Sequence, residues 1–115
     1  MPKGVVDQVI AMIPLSEETE VGAADRVFRL RRLEIQPGGE VPWHSHADRP
    51  AIIYVVQGSV TEYRNTCEVP VIHAAGTAIP ENHLVSHWWR NTGNEVAILL
   101  SADLLHLADP NVHMM

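Results

Sequence analysis

Residues 38–58 read GGEVPWHSHADRPAIIYVVQG, and the histidines at positions 44 and 46 are the most informative pair in the chain. Residues i and i+2 of a β-strand point to the same face, so a strand here aims the imidazoles of His44 and His46 at one point. His87, in an apolar and aromatic segment, is the best-placed third ligand from another strand. Three converging neutral imidazoles predict a site for a borderline divalent metal. The alternative is that one or more of them is a hydrogen-bonded core histidine.

The residues around these histidines resemble the first sequence motif of the cupin superfamily. Five residues separate Gly38 from His44, and four separate His46 from Ala51. Six more residues lead from Ala51 to Gly58, which closes the motif. The family pattern has a glutamate where this chain has Ala51. The spacing of the first motif is therefore complete, but its carboxylate is replaced.

Residues 76–91 resemble the second cupin motif. Gly76, His87 and Asn91 keep the family spacing. The proline and glycine positions of that motif are occupied here by Asn82 and Leu84. The two motifs together are specific, and the resemblance covers the middle of the chain.

The resemblance implies an all-β jelly-roll barrel, the double-stranded β-helix, that forms a single domain over residues 1–115. It also implies that His44, His46 and His87 bind one divalent metal ion, with iron preferred and nickel, manganese, copper or zinc as alternatives. The family resemblance points to a homodimer, and a short barrel leaves edge strands that a second copy can cover.

The replacement at Ala51 changes the chemistry expected of this site. Three histidines without a carboxylate leave the charge of a divalent cation uncompensated and the cation open to exogenous ligands. Such a site should prefer a small chelating anion, such as an enolate, thiolate, catecholate or carboxylate. Cupins that resemble this three-histidine pattern include thiol, gentisate and diketone dioxygenases.

Two functions are compatible with this site. The first is a metal-dependent, dioxygenase-like oxidoreductase that acts on a small chelating anionic or aromatic compound. The second is a non-catalytic binding module that the metal stabilises, because one fold can host enzymes, sensors and storage proteins alike. Bound iron with oxygen consumption would favour the enzyme, whereas tightly held, inert zinc would favour the module.

Further residues are expected to line the site. Ala51, Ile53 and Val55 share one face of the strand that follows the ligand strand, where they would form an apolar lining. Trp89 shares a face with His87, and we interpret it either as a wall of the pocket or as a core residue.

Glu81 is the weaker candidate for a catalytic group. It lies six residues before His87 and could act as a fourth ligand or a general base. The alternative is an exposed turn residue. The other histidines are interpreted as hydrogen-bonded core residues that bind no metal, and only the second of them lies near His87 in the sequence: His73, His83, His106 and His113.

The charge of the chain argues against a nucleic-acid partner. Its 115 residues carry a formal net charge of −6, whereas binding to phosphates needs clustered positive charge. One predicted strand nevertheless carries four arginines. We expect them to line a solvated face or to pair with carboxylates, and the alternative is an anion-binding role: Arg26, Arg29, Arg31 and Arg32.

The sequence predicts a cytoplasmic protein without a membrane partner. The longest apolar runs, residues 51–56 and 96–100, are far shorter than the roughly 20 residues that span a bilayer. The acidic residues near the N-terminus do not fit a secretion signal. Cys67 is the only cysteine, so no internal disulfide can form, and we interpret it as an ordinary thiol.

Apolar alternation and turn residues predict a series of short strands over residues 5–13, 26–35, 41–46, 51–57, 59–64, 69–74, 77–80, 85–90 and 95–102. A slip in the alternation between Leu30 and Leu33 predicts a bulge near Arg31 and Arg32. Residues 37–39 predict a turn. Residues 103–115 are expected to form a tail that is frayed or covers a barrel end or a partner subunit.

Overall fold

The computed structural model describes residues 2–107, which contain eight β-strands and no α-helix. The strands are β1 Lys3–Pro14, β2 Arg26–Ser45, β3 Ala51–Gln57, β4 Ser59–Arg64, β5 Val71–Ala74, β6 Ala78–Glu81, β7 Ser86–Arg90 and β8 Ala97–His106. One 3-10 turn, Leu15–Glu17, follows β1. Within residues 2–107, no helix is long and apolar enough to cross a membrane. The prediction of an all-β fold is confirmed.

The strands form one antiparallel sheet that curls on itself. The strand order is β5-β4-β7-β2-β8-β3-β6, and β1 pairs with β2 outside this path. Strands that are distant in sequence are therefore neighbours, since β8 lies between β2 and β3, and β7 lies between β4 and β2. This is the predicted jelly-roll architecture.

The long strand β2 connects the two halves of the barrel. Its residues 26–35 pair with β8, and its residues 40–45 pair with β7. Gly38 lies between these segments at a φ of 79°, a left-handed conformation that glycine adopts without strain. The turn predicted at residues 37–39 is thus a change of partner within one continuous strand.

The bulge predicted near Arg31 and Arg32 lies instead in β1. The pairing of β1 with β2 shifts register at Ile10, whereas the pairing of β2 with β8 is regular over residues 26–35. The alternation in β2 was misleading because Arg29 and Arg31 are buried on the inner face, and Leu30 lies on the other face.

The inward-facing side chains form an apolar layer and a polar layer. Leu33 pairs with Leu99, which in turn pairs with Val55 in the apolar layer. Arg29 pairs with Asp103 in the polar layer of the same strands. The apolar layer is the hydrophobic core: Leu33, Ile35, Val41, Ile53, Val55, Val60, Ile79, Trp89, Ala97 and Leu99. The polar layer is where the candidate site lies.

The predicted strand bounds are closest in the middle of the chain. β3 and β4 have the bounds that were predicted, whereas β8 continues to His106, past the predicted end at residue 102. Asp103, which was assigned to the tail, is therefore a buried strand residue. Residues 108–115, the rest of the predicted tail, lie outside the described residues.

The outer face of the sheet carries an apolar row that crosses five strands. Each member is paired with the next across the strands, in the order Ala11, Leu30, Ala102, Ile52 and Pro80. A shallow groove of about 320 Å³ lies along this row and is lined by apolar side chains and Arg29. Ile52 is 58% exposed.

Candidate metal centre

Two strands bring the three predicted histidines together. His44 lies near the end of β2 and is paired directly with His87 of β7. His46 follows the end of β2, and its backbone N–H donates to the carbonyl of Val85, 2.8 Å away. The side chains of His46 and His87 are fully buried, and His44 is 3% exposed.

The Nε2 atoms of these histidines form a small triangle. They lie 3.2 Å apart for His44 and His46, 2.9 Å apart for His46 and His87, and 3.0 Å apart for His87 and His44. The three rings meet edge to face, with centroids 4.6 to 5.0 Å apart. The side chains therefore converge through one ring nitrogen each.

The other nitrogen of each ring faces a hydrogen-bond acceptor. Nδ1 of His44 lies 2.8 Å from the carbonyl of Pro42, and Nδ1 of His46 lies 2.8 Å from the carbonyl of Arg49. Nδ1 of His87 lies 2.5 Å from Oε2 of Glu62. Because acceptors face all three Nδ1 atoms, each neutral ring donates there and turns the lone pair of Nε2 toward the other two rings.

This arrangement fits a metal ion. A metal–nitrogen bond of about 2.1 Å places two ligand nitrogens about 3.0 Å apart at a right angle and about 3.4 Å apart at a tetrahedral angle. The observed separations of 2.9 to 3.2 Å are closer to the right angle. The triangle is thus shaped like one face of an octahedron, and the group can hold a metal ion.

Glu62 is a buried site residue that the sequence reasoning missed. It lies in β4 and is fully buried. Its Oε1 lies 2.8 Å from Nε2 of His73, and its Oε2 accepts from His87. His73 is therefore a buried, hydrogen-bonded histidine, as predicted, and Glu62 is its partner. The available signal was the period of two along β4, which puts Glu62 on the same face as the core residue Val60.

Glu81 is buried within β6, so the interpretation as an exposed turn residue is wrong. Its Oε2 lies 3.5 Å from Nδ1 of His87 and 3.9 Å from Nη2 of Arg64. Glu62, Glu81 and His87 form a second compact group of potential ligand atoms. The pairing of β3 with β6 places Glu81 directly beside Ala51.

The two buried glutamates differ in charge. Burial acts to raise the pKa of Glu62, but hydrogen bonds from His73 and His87 outweigh it and hold that pKa well below its usual range. Burial and the neighbouring Glu62 raise the pKa of Glu81 to about 9. Glu62 is therefore the charged member and Glu81 the neutral one at pH 7. Burial, followed by the electrostatic interaction with the neighbouring His87, lowers the pKa of His46 to about 3.

A buried ion-pair cluster supports the loop that carries His46. Asp103 accepts from Nε of Arg29 at 2.7 Å and from Nη1 of Arg49 at 2.7 Å. Arg31 donates to Asp7 at 2.8 Å. Arg29 and Arg31 therefore pair with carboxylates, which was one of the two expectations for these arginines. The other expectation, a solvated face, is wrong for both, because both side chains are buried. Asp103 therefore holds the side chain of Arg49, whose backbone carbonyl faces Nδ1 of His46.

The predicted lining residues all point into the barrel. Ala51, Ile53 and Val55 are buried on one face of β3. Trp89 is fully buried in the core cluster, and its indole N–H lies 3.0 to 3.1 Å from the two ring nitrogens of His87. Trp89 is thus both a core residue and a direct neighbour of the candidate ligand.

Other predicted residues lie away from the triangle. Asn91 donates to the carbonyls of Ile35 and Glu95 and fixes the chain after β7. His83 and Cys67 are exposed, and His106 pairs with Asp25 at the surface. His113 lies outside the described residues.

The chain belongs to the cupin family. The family model described as a cupin domain matches residues 31–103, which include both motifs and all three histidines. A search of curated protein sequences finds no match. The finding agrees with the resemblance that the motif spacing indicated.

Solved structures share the fold at low identity. The polyketide cyclase RemF from Streptomyces resistomycificus is similar with a TM-score of 0.70 and 23% identity over 90% of this chain and 66% of that one. An oxalate oxidase in complex with glycolate is similar with a TM-score of 0.66 and 16% identity, over 93% and 57%. The Cnp3 cupin domain of Schizosaccharomyces pombe is similar with a TM-score of 0.61 and 16% identity, over 67% and 55%. The chain spans between about half and two thirds of each of these structures.

Proposed function

We propose that this cupin is a metal-dependent, dioxygenase-like oxidoreductase that binds one divalent metal ion through His44, His46 and His87. The observation that carries the proposal is the convergence of three Nε2 atoms within 3.2 Å while an acceptor faces every Nδ1. Three lone pairs that meet in a buried space repel one another, and one cation relieves all three contacts. Iron is the preferred metal, and nickel, manganese, copper and zinc are the alternatives.

The proposed substrate is a small chelating anionic or aromatic compound. Ala51 contributes no carboxylate, so the histidines would leave the charge of the cation for an anionic ligand to balance. The oxalate oxidase that shares the fold was solved with glycolate, an acid of this kind.

In this proposal the protein supplies binding, orientation and exclusion of water. Bound iron would supply the redox chemistry with O2. Ile53, Val55 and Trp89 are buried in the apolar core, and in this proposal they would form the wall that keeps water from the site. The backbone carbonyls of Pro42 and Arg49 orient the first two ligands, and Glu62 orients the third.

Glu81 is the proposed catalytic carboxyl group, because it lies beside Ala51 and its Oε2 is 3.5 Å from Nδ1 of His87. A Glu81→Gln variant separates its two candidate roles. Loss of metal would identify Glu81 as a fourth ligand, whereas retained metal with slower turnover would identify an acid–base group.

The burial of the histidines favours a second candidate function. With two of the three fully buried, the metal would be tightly enclosed, as in a structural site. A non-catalytic binding module, stabilised by its metal, is therefore the alternative.

Elemental analysis of the full chain, purified without added metal or chelator, tests the proposal. We expect close to one metal ion per chain in the wild type and in His83→Ala, which removes an exposed histidine, and almost none in His87→Ala. Oxygen uptake would then be measured with glycolate, oxalate, gentisate and catechol. Iron with oxygen uptake supports the oxidoreductase, whereas metal without uptake supports the module. Absence of metal from the wild type, even after iron or zinc is added, would overturn both.

A further inference from the structure

We propose that Glu62 is a positioning residue that supplies, through the imidazole of His87, the negative charge that the site lacks at Ala51. The inference rests on the proposed metal site and deepens it. Glu62 lies in β4, whereas Ala51 lies in β3 on the other half of the sheet. The compensating charge would therefore act from the opposite wall of the barrel. It would reach the metal through one intervening ligand, His87.

Both carboxylate oxygens of Glu62 are engaged. Oε2 accepts from Nδ1 of His87 at 2.5 Å, and Oε1 accepts from Nε2 of His73 at 2.8 Å. The side chain is fully buried, as is His87. Turning the carboxylate toward the Nε2 triangle would break both hydrogen bonds, so Glu62 acts on the metal through His87 and not as a ligand.

A carboxylate behind a ligating histidine changes the ligand. It fixes the tautomer and the ring orientation, and it raises the basicity of the nitrogen that faces the metal. The other two histidines donate to neutral backbone carbonyls of Pro42 and Arg49. Among the residues that the structure describes, the acceptor at Nδ1 of His87 is thus a carboxylate where the other two are carbonyls, and we expect His87 to be the strongest donor.

A competing interpretation is that Glu62, Glu81 and His87 form a second cation site. Arg64 argues against it, because its guanidinium nitrogens lie 3.4 Å from Oε1 of Glu62 and 3.9 Å from Oε2 of Glu81. Its positive charge already occupies the side of the pair that a second cation would need. The pair is therefore better explained by its contact with His87.

Chelator competition with zinc, on the full chain, tests the proposal. We expect Glu62→Gln to bind zinc about 10- to 100-fold more weakly than the wild type. Glu62→Asp should recover part of the loss, because it keeps the charge. Glu34→Gln makes the same chemical change at a half-exposed position and should bind as the wild type does.

A spectroscopic measurement separates this role from a merely structural one. In the cobalt-loaded wild type, proton magnetic resonance should show three exchangeable, hyperfine-shifted Nδ1–H signals. The signal from His87 should differ from the other two, because only its proton faces a carboxylate. In Glu62→Gln that signal should move, while the signals of His44 and His46 stay in place.

The outcomes are distinguishable. Wild-type affinity in Glu62→Gln, with an unmoved His87 signal, would overturn this inference and leave the proposed metal site intact. Absence of zinc and cobalt binding by the wild type would overturn the proposed function and this inference with it. If Glu62→Gln does not fold, the wild-type cobalt spectrum decides, since three equivalent Nδ1–H signals would overturn the role of Glu62.

Discussion

Ala51 and Glu81 are direct cross-strand partners, so the position at which the cupin pattern carries a glutamate has a buried carboxyl group as its neighbour. Ala51 is also paired with Asp103 on its other side. The small side chain therefore lies between two acidic residues. This explains physically why a carboxylate at position 51 would be costly in the metal-free protein.

Restoring the family glutamate should destabilise the metal-free protein. We expect Ala51→Glu to lower the free energy of unfolding by about 1–3 kcal/mol, because a third acidic group would be buried beside two others. Added zinc should recover most of this loss. Chemical denaturation with and without zinc measures it, and Ala51→Gln controls for size. Equal losses in the two variants would show that charge is not the cause.

Asp103 should be the acidic residue on which stability depends most. Asp103→Asn would leave the buried guanidinium groups of Arg29 and Arg49 without their full countercharge, so we expect a loss of about 3–5 kcal/mol. Asp48→Asn is the matched control, because Asp48 pairs with Arg26 at the surface and should cost less than about 1 kcal/mol. Urea denaturation at pH 7 compares the two, and similar losses would contradict the prediction.

The same carboxylate should contribute to acid sensitivity. Burial acts to raise the pKa of Asp103, but hydrogen bonds from Arg29 and Arg49 outweigh it and lower that pKa below its usual value. The folded state therefore binds this proton more weakly than the unfolded state, so the stabilisation is present above about pH 4 and is lost as the pH falls. Unfolding free energies measured from pH 5 to pH 3 should fall more steeply for the wild type than for Asp103→Asn. Parallel curves would exclude this contribution.

Adjacent tryptophans should differ in their importance for stability. Trp89 is fully buried against His87, whereas Trp88 is half-buried and stacks on Tyr63 with centroids 4.0 Å apart. We expect Trp89→Phe to cost about 1–3 kcal/mol, because it leaves a cavity and removes an N–H contact, and Trp88→Phe to cost less than about 1 kcal/mol. Thermal unfolding compares them. A larger loss of stability for Trp88→Phe than for Trp89→Phe would contradict this prediction.

The apolar row on the outer face should mediate the proposed homodimer. Phe28 is 48% exposed and Ile52 is 58% exposed on this face, where a second copy could cover them. We expect sedimentation equilibrium to give twice the 12.8 kDa mass of the chain for the wild type, and the chain mass for Phe28→Glu and Ile52→Glu. Val69→Glu alters an exposed apolar residue elsewhere and should leave the dimer intact. A monomeric wild type would refute the prediction.

The sequence predicts strand bounds correctly where these depend only on residues that are adjacent in the chain. The bounds of β3 and β4 follow from apolar alternation on either side of Gly58, which has a φ of 74° and makes the tight turn between them. The three candidate ligands follow from motif spacing, because the period of a strand determines which side chains share a face.

Polar residues inside the barrel could not be assigned in this way. Arg29, Glu62 and Asp103 are buried because each meets an oppositely charged or hydrogen-bonding partner from a distant strand. A local pattern shows such residues as breaks in apolar periodicity, which is why a bulge was predicted near Arg31 and Arg32 and a tail from Asp103 onward. Only the strand pairing shows that their partners exist.

The partner change within β2 has a consequence for how the chain would acquire the proposed metal. His46 lies on the segment next to β7, and His87 follows it by 41 residues, so a growing chain presents two ligands long before the third. Two imidazoles chelate weakly and exchange readily, whereas the complete set forms only when β7 docks on β2. The proposed metal would therefore be selected by the folded barrel, from the ions available where the chain folds.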